Sequence, residues 1–261
     1  MATVTQHAPG TFCWPELATT DQSGAKAFYT ALFGWTIVDT PMGEAGVYTM
    51  LKKGGRDVGA LVQMGKEQAG MPPHWSAYVA VASADAVAEQ AAALGAQVLM
   101  PPFDVMDVGR MAVIQDPQGA TLALWQAIKH IGVGLLDEPG ALCWTELMTT
   151  DAAAAERFYT NLFGWTAKAM PLGPTTYTVF KRGDKPAGGM MEITSEMGPM
   201  PPNWLSYFAV TGCDATVARA IMLGGQVVVP PTDVPGIGRF AVLHDPQGAT
   251  FAIVDEPKLG T

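Results

Sequence analysis

The pattern of hydrophobic and polar positions predicts a strand, a helix and three further strands at the start of the chain. Residues 11–18 are mostly apolar, as in a buried strand, and Thr20 and Asp21 supply capping residues for a helix. Gly34 ends this helix, where a left-handed residue is favoured. The apolar face of the helix repeats at intervals of three and four residues: Ala25, Phe28, Tyr29 and Leu32. Three β-rich segments follow, at 35–40, 46–52 and 57–64.

The same order of elements returns after a Met-Pro-Pro segment. A strand at 75–82 leads to an alanine-rich helix near 84–94, which Gly95 closes. Asp116 begins the sequence DPQG, which is typical of a type I turn. Strands are predicted near 97–100, 110–115 and 120–126. The unit is therefore a βαβββ module that occurs twice within the first half of the chain.

Nearly the same sequence also occurs in both halves of the chain. Residues 9–36 read PGTFCWPELATTDQSGAKAFYTALFGWT, and residues 139–166 read PGALCWTELMTTDAAAAERFYTNLFGWT. The spacing is 130 residues here and 129 residues further along. The chain is thus a tandem duplication of four modules. Its predicted domains are residues 9–126 and 139–256, joined by a linker at 127–138.

Composition and charge exclude several classes of protein. Hydrophobic residues make up 49% of the 261 residues, which suffices for two cores. The net charge is −9 with no cluster of Lys and Arg, so no nucleic-acid partner is expected. No apolar stretch is long enough to span a membrane, and the start of the chain lacks a secretory pattern. Three cysteines form no disulfide framework, and a cytoplasmic location is expected.

The motifs that recur in each copy resemble those of a known family. Each copy contains FYTALFGW or FYTNLFGW in its first helix and ends with Gly-Arg followed by DPQGAT. Paired βαβββ modules with these motifs are similar to the vicinal oxygen chelate superfamily, which includes glyoxalase I, bleomycin-resistance proteins and extradiol dioxygenases. The resemblance covers about residues 10–126 and 140–255. It implies an α+β fold with two cupped mixed β-sheets around small-molecule cavities and helices packed outside.

Chelating members of this family bind a divalent metal ion through His, Gln or Glu side chains from four strands. The matching positions here mostly carry side chains that do not bind metals. They are Trp14, Ser76 and Ala123 in the first copy, Trp144, Leu205 and Ala252 in the second, and one position within 61–63 or 190–192. At most one plausible ligand remains per copy, and no histidine lies at a metal-binding spacing. We therefore expect neither a metal ion nor another cofactor.

The cavity that the resemblance implies is aromatic and contains one carboxylate per copy. Alternate residues of a strand share a face, so Glu16 accompanies Trp14 and Glu146 accompanies Trp144. These two glutamates are the candidate catalytic residues, because a poorly hydrated carboxylate can act as a general base or bind a ligand. The alternative is that each glutamate pairs with an arginine or caps backbone groups. The candidate ligand-binding residues are Trp14, Ser76, Tyr78, Arg110 and Trp125 in the first copy and Trp144, Tyr207 and Arg239 in the second.

Two further pairs of repeat-matched residues allow alternative interpretations. Arg110 and Arg239 either contact an anionic ligand or form structural ion pairs. Trp75 and Trp204 either stack on a flat ligand or wedge two modules together. In both cases the structural role is the favoured expectation.

Three functions are compatible with these residues. The favoured one is a metal-free protein that binds a small molecule, similar to bleomycin-resistance proteins. The second is a glyoxalase-like lyase or isomerase, or a hydroxylase-like enzyme, with Glu16 or Glu146 as general base. The third is a structural pseudo-dimer whose cups are filled by tryptophan. Neither nucleic acid nor a membrane is an expected partner, and the chain is expected to be a monomer or a homodimer.

Overall fold

The computed structural model describes residues 4–172 and 175–255. The strands of the first half are β1 (Phe12–Thr19), β2 (Thr36–Pro41), β3 (Val47–Lys53), β4 (Arg56–Gln63), β5 (His74–Ala80), β6 (Gln97–Val105), β7 (Gly109–Gln115) and β8 (Thr121–Ala127). Those of the second half are β9 (Leu142–Thr149), β10 (Thr166–Leu172), β11 (Thr175–Arg182), β12 (Lys185–Glu192), β13 (Asn203–Val210), β14 (Gln226–Val234), β15 (Gly238–His244) and β16 (Thr250–Asp255). The helices are α1 (Gln22–Phe33), α2 (Ala84–Ala93), α3 (Ala152–Phe163) and α4 (Cys213–Met222).

The helix boundaries follow from the capping residues. Asp21 accepts a hydrogen bond from the backbone N–H of Gly24 at 3.0 Å, which begins α1. Gly34 ends α1 in the left-handed region with φ of 68°, and Gly164 ends α3 in the same way with φ of 67°. The first helix of each copy therefore begins and ends at the residues that the sequence predicted.

The strands form two eight-stranded mixed sheets, one from each copy. Their orders are β2-β3-β4-β1-β5-β8-β7-β6 and β10-β11-β12-β9-β13-β16-β15-β14. The central strands β1 and β5 run antiparallel, and each pairs with the last strand of its own module in parallel. The predicted α+β tandem fold is confirmed, and modules pair within a copy rather than between copies. None of the helices in the described ranges is long and apolar enough to cross a membrane.

The cores on the helix side of the sheets combine modules from both copies. One core packs α1 residues such as Phe28 against Phe208, Phe251 and Val217 of the second copy. The other core packs α3 residues such as Phe158 against α2, β5 and β8 of the first copy. The two halves therefore share their hydrophobic interior.

Buried hydrogen bonds join the two copies at the DPQG turns. A β-turn is present at the predicted position, since the N–H of Gly119 donates to the carbonyl oxygen of Asp116 at 3.0 Å. The Asp116 carboxylate also accepts from the Tyr159 hydroxyl of the other copy at 2.8 Å. Symmetrically, the Tyr29 hydroxyl donates to Asp245 at 3.0 Å. Burial raises the pKa of both aspartates.

Candidate functional site

The face of the first sheet that points away from the helices carries the aromatic cluster that strand alternation predicted. We call it the first cup. Its buried members are Cys13, Trp14, Ala60, Tyr78, Ala80, Ala123, Trp125 and Val133. In the ladder Trp14 lies opposite Tyr78, Glu16 lies opposite Ser76, and Ala123 lies beside Tyr78. Four ligand-binding candidates, the catalytic candidate Glu16 and the matching metal-ligand position Ala123 thus lie on three neighbouring strands, β1, β5 and β8.

Glu16 lies at the centre of the first cup between two tyrosines. The Tyr48 hydroxyl donates to its Oε2 at 2.6 Å, and the Tyr78 hydroxyl donates to its Oε1 at 2.8 Å. Burial and the neighbouring Glu16 raise the pKa of both phenols well above the usual value. Both tyrosines therefore remain neutral donors at physiological pH, and the carboxylate has an acceptor role.

The second sheet repeats this arrangement around Glu146, and we call that face the second cup. Its members are Cys143, Trp144, Leu205, Tyr207, Val229, Phe240, Val242, Ala252 and Val254. The Tyr207 hydroxyl donates to Glu146 Oε1 at 2.9 Å, and Tyr177 is its second hydrogen-bond partner. The indole N–H of Trp144 donates to the Tyr177 oxygen at 2.8 Å. Trp144 thus donates to Tyr177, and Tyr177 in turn hydrogen-bonds the Glu146 carboxylate.

Glu146 is the more deeply buried of the two glutamates. Its residue is 6% exposed. Burial raises the pKa of its carboxyl group, although the hydrogen bonds from Tyr177 and Tyr207 act in the opposite direction. A carboxyl group in this environment accepts hydrogen bonds, and it takes up a proton more readily than an exposed one.

Tyr48 and Tyr177 are the site residues that sequence analysis missed. They lie on β3 and β11, outside the four central strands to which the resemblance pointed. The signal was present in the repeat, because these two tyrosines are spaced by 129 residues. Only the register of β3 on β4, and of β4 on β1, places Tyr48 beside Glu16.

The two arginines among the candidate residues lie in surface ion pairs. Arg110 contacts Asp85 at 2.7 Å and Asp104 at 2.8 Å. Arg239 contacts the repeat-matched Asp214 and Asp233 at 2.6 and 2.9 Å. The ion-pair partners of both arginines are thus aspartates, whereas the hydrogen-bond partners of Glu16 and Glu146 are tyrosines.

Trp75 and Trp204 lie on the helix side of the sheets, away from the cups. The indole N–H of Trp75 donates to the Tyr29 hydroxyl at 3.0 Å, and that of Trp204 donates to the Tyr159 hydroxyl at 2.9 Å. Both indoles are buried in the shared cores. Both tryptophans therefore pack between modules.

The donor set of the cups fits a metal ion poorly. Across residues 4–172 and 175–255, no three His, Cys, Asp or Glu side chains converge in a way that could hold a metal ion. A stable divalent site needs three or four such ligands. Each cup has one carboxylate at its centre, and two of its roughly four lone-pair positions accept from phenols that remain protonated. The side chains of both cups therefore suit an organic hydrogen-bonding partner better than a cation.

Two open depressions lie at the edges of the second sheet. One of about 250 Å³ is lined by Ala152, Thr175, Thr176, Thr178, Glu192 and Thr194. The other, of about 370 Å³, is lined by residues 233–239 and Asp255 on the β14–β15 turn. Glu16 and Glu146 line neither of them.

Comparison with known proteins agrees with this architecture. The model of the Glyoxalase/Bleomycin resistance protein/Dioxygenase superfamily matches residues 11–124 and 125–253. The Mycobacterium tuberculosis protein named "Putative glyoxylase CFP32" is 47% identical over 253 residues, which are 95% of this chain and 96% of that protein. The anthracycline biosynthesis protein DnrV of Streptomyces peucetius is 38% identical over 264 residues, covering 97% of this chain and 95% of DnrV.

Solved structures share the fold at low sequence identity. The Mn(II)-bound glyoxalase from Novosphingobium aromaticivorans has a TM-score of 0.67 at 17% identity, covering 95% of this chain and 83% of that one. The 2,2',3-trihydroxybiphenyl 1,2-dioxygenase from Sphingomonas wittichii strain RW1 has a TM-score of 0.65 at 13% identity, covering 95% and 91%. From the family model and these relatives, the chain belongs to the glyoxalase/bleomycin resistance protein/dioxygenase superfamily.

Proposed function

We propose that this protein binds a small aromatic molecule in a cup and does so without a metal ion. The observation that carries the proposal is the buried carboxylate of Glu146 with its two tyrosine partners, at the centre of an apolar wall. Apolar walls with a few placed polar groups are the usual composition of a small-molecule site. The Glu–Tyr group supplies orientation through hydrogen bonds, and the aromatic side chains supply contact area.

The names of two relatives suggest which compounds to test first. DnrV and the Streptomyces sp. protein DauV are both called anthracycline biosynthesis proteins and are 38% and 37% identical to this chain. Anthracyclines are planar, ring-bearing molecules with phenolic hydroxyl groups, which match an aromatic cup with a carboxylate acceptor. We therefore choose daunorubicin as the probe, since its own fluorescence reports binding.

The experiment is a titration of the protein with daunorubicin in the presence and absence of EDTA. We expect saturable binding that the chelator does not change. Replacing the glutamate of the cup that holds the ligand, by Glu16→Gln or by Glu146→Gln, should weaken binding about tenfold, the cost of one charged hydrogen bond. Glu192→Gln, which changes an exposed glutamate outside the cups, is the matched control and retains affinity. Binding that EDTA abolishes, or that survives both cup substitutions, contradicts the proposal. If no saturable binding occurs, a purely structural role for the packed cups is favoured.

One observation favours a second function, an enzyme that uses Glu146 as general base. The raised pKa of this carboxyl brings it closer to the range in which a side chain exchanges protons with a substrate. In such a lyase or isomerase Glu146 would take a proton from a carbon next to a carbonyl group and return it at another atom. Solvent deuterium incorporation into methylglyoxal-derived hemithioacetal tests this, and its absence in Glu146→Gln would identify the base.

A further inference from the structure

We propose that only the second cup receives a ligand, and that the ligand presents a planar ring with an N–H or O–H group to Trp144 and Glu146. This inference rests on the proposed binding function and adds to it the choice of cup and the class of ligand. It is carried by the linker between the copies, which closes the first cup with the chain's own side chains.

The linker is fixed across the first cup by backbone hydrogen bonds. The N–H groups of Ile128, Lys129 and His130 all donate to the carbonyl oxygen of Val108, at 3.1, 3.0 and 3.0 Å. The Trp125 indole N–H donates to the carbonyl oxygen of His130 at 2.8 Å. Further along, Val133 donates to the carbonyl oxygen of Cys13 at 2.8 Å and is fully buried in the cup. A ligand would have to displace this whole segment to enter.

The imidazole ring of His130 lies inside the first cup, against two of its tryptophans. Its centroid lies 4.7 Å from that of Trp14, with the two rings at 87°, and 6.2 Å from that of Trp125. Its Nε2 lies 3.8 Å from the nearer carboxylate oxygen of Asp57. An edge-on contact at this distance is a favourable aromatic geometry. The first cup thus holds a planar nitrogen heterocycle that belongs to the protein itself.

The wall of the second cup differs from that of the first at two repeat-matched positions. Val254 replaces Trp125, which removes a large indole from the wall. Trp144 is only partly buried, whereas Trp14 is 5% exposed. The second cup therefore offers a partly exposed indole where the first cup is closed.

The hydrogen-bonding groups of the second cup determine the class of ligand. The Trp144 N–H already donates to the Tyr177 hydroxyl, and that hydroxyl donates to Glu146. The free lone pairs of the Glu146 carboxylate are therefore what remains for a ligand. The ligand must therefore carry a donor. A planar ring that takes the place of His130 beside Trp144 satisfies the aromatic wall. Phenols and imidazoles combine both properties.

The test follows the indole N–H resonances of the seven tryptophans by NMR during titration with phenol or imidazole. Tryptophan-to-phenylalanine variants assign the signals. We expect the Trp144 signal to shift saturably while those of Trp14 and Trp125 stay in place. Cyclohexanol keeps the hydroxyl group and lacks the planar ring, so we expect it to shift no signal.

Matched substitutions in the two cups complete the test. Glu146→Gln should weaken phenol binding about tenfold, and Glu16→Gln should leave it unchanged. Unchanged signals of Trp35 and Trp204 show that each variant is folded. Shifts of Trp14 or Trp125, or loss of binding in Glu16→Gln alone, overturn the choice of cup and leave the proposed binding function intact. If no probe moves any cup signal, the binding function itself fails along with this inference.

Discussion

At the scale of single residues, Glu146 gives the protein a distinctive dependence of stability on pH. Burial raises its pKa in the folded state above the value of about 4.5 in an unfolded chain. The contribution of this group to the free energy of unfolding is therefore fully present below pH 4.5 and is lost as the pH rises through the folded pKa. The reason is that the charged form loses hydration only in the folded protein.

The comparison that isolates this effect uses Glu146→Gln, which does not titrate. We expect the stability of the unsubstituted protein relative to the variant to fall from acid to neutral pH, by at most about 1.4 kcal/mol per pH unit. Chemical denaturation at a series of pH values measures it. A difference that is constant with pH, or that grows toward neutral pH, contradicts the burial of this carboxyl group.

Gly189 is the residue that allows Trp144 and Tyr177 to meet. A Cβ atom at this position would overlap the Tyr177 hydroxyl and lie 2.8 Å from Trp144 Nε1. We expect Gly189→Ala to displace the Trp144 indole and to cost about 1–3 kcal/mol, as overpacking of a core does. Thermal unfolding and the Trp144 indole signal measure the two effects. Ala60→Gly, at the equivalent position of the first cup, is the control and should leave Trp144 unchanged. An unmoved indole in Gly189→Ala would refute this packing.

The sequence predicted the residues of the cups better than the contacts between them. Strand alternation placed Trp14, Tyr78 and Trp125 on one face, and they form one cluster. For Glu16 it offered an arginine or backbone groups as structural partners and not Tyr48, because Tyr48 comes from another strand whose register is set by the turns. Repeat-matched tyrosines were the only sequence signal for that contact.

At the scale of elements, the start of the first helix differs between the copies. In α1 the Gln22 amide donates to the carbonyl oxygen of Val47 at 2.8 Å and to the Thr49 hydroxyl at 3.1 Å. In α3 the equivalent residue is Ala152, and a depression of about 250 Å³ lies at that position. The space that the Gln22 side chain fills in the first copy is therefore an open depression in the second copy.

This difference predicts a stabilising substitution. We expect Ala152→Gln to restore the hydrogen bonds that Gln22 makes and to raise the free energy of unfolding by about 0.5–2 kcal/mol. The reverse change, Gln22→Ala, should cost about 1 kcal/mol in the first copy. Urea unfolding of both variants measures the effect. A loss of stability in Ala152→Gln would show that the surroundings of residues 22 and 152 are not equivalent.

Local sequence signals predicted the elements, with one clear exception. Helices were predictable because Asp21 and Gly34 act through contacts within their own turns. Strand β6 was predicted to end near residue 100, yet it continues to Val105 through Pro101 and Pro102. The strand lies at the edge of the sheet and shifts register twice against β7. Prolines are tolerated there because an edge strand pairs on one side only.

At the scale of the whole molecule, the two copies share their cores and should unfold together. The Tyr29 hydroxyl accepts from Trp75 and donates to Asp245 of the other copy, and it is fully buried. We expect Tyr29→Phe to cost about 1–3 kcal/mol, since it leaves buried polar groups without partners. Tyr159→Phe is the matched variant and should cost a similar amount.

Calorimetry and thermal unfolding followed by tryptophan fluorescence together measure whether the two copies unfold in one step. We expect one cooperative transition in the unsubstituted protein and in both variants, because each core contains modules of both copies. Two separate transitions, one for each copy, would contradict the shared cores. The sequence left open how modules pair, since nearly identical modules can exchange partners without changing any local pattern.

The most direct test of the whole account is the metal content of the purified protein. The protein would be dialysed in turn against Mn²⁺, Fe²⁺, Ni²⁺ and Zn²⁺, and the bound metal measured by inductively coupled plasma mass spectrometry. We expect substoichiometric metal for every ion, with no change in Glu16→Gln or Glu146→Gln. One metal ion per cup, lost when the glutamate of that cup is replaced, would contradict a metal-free function.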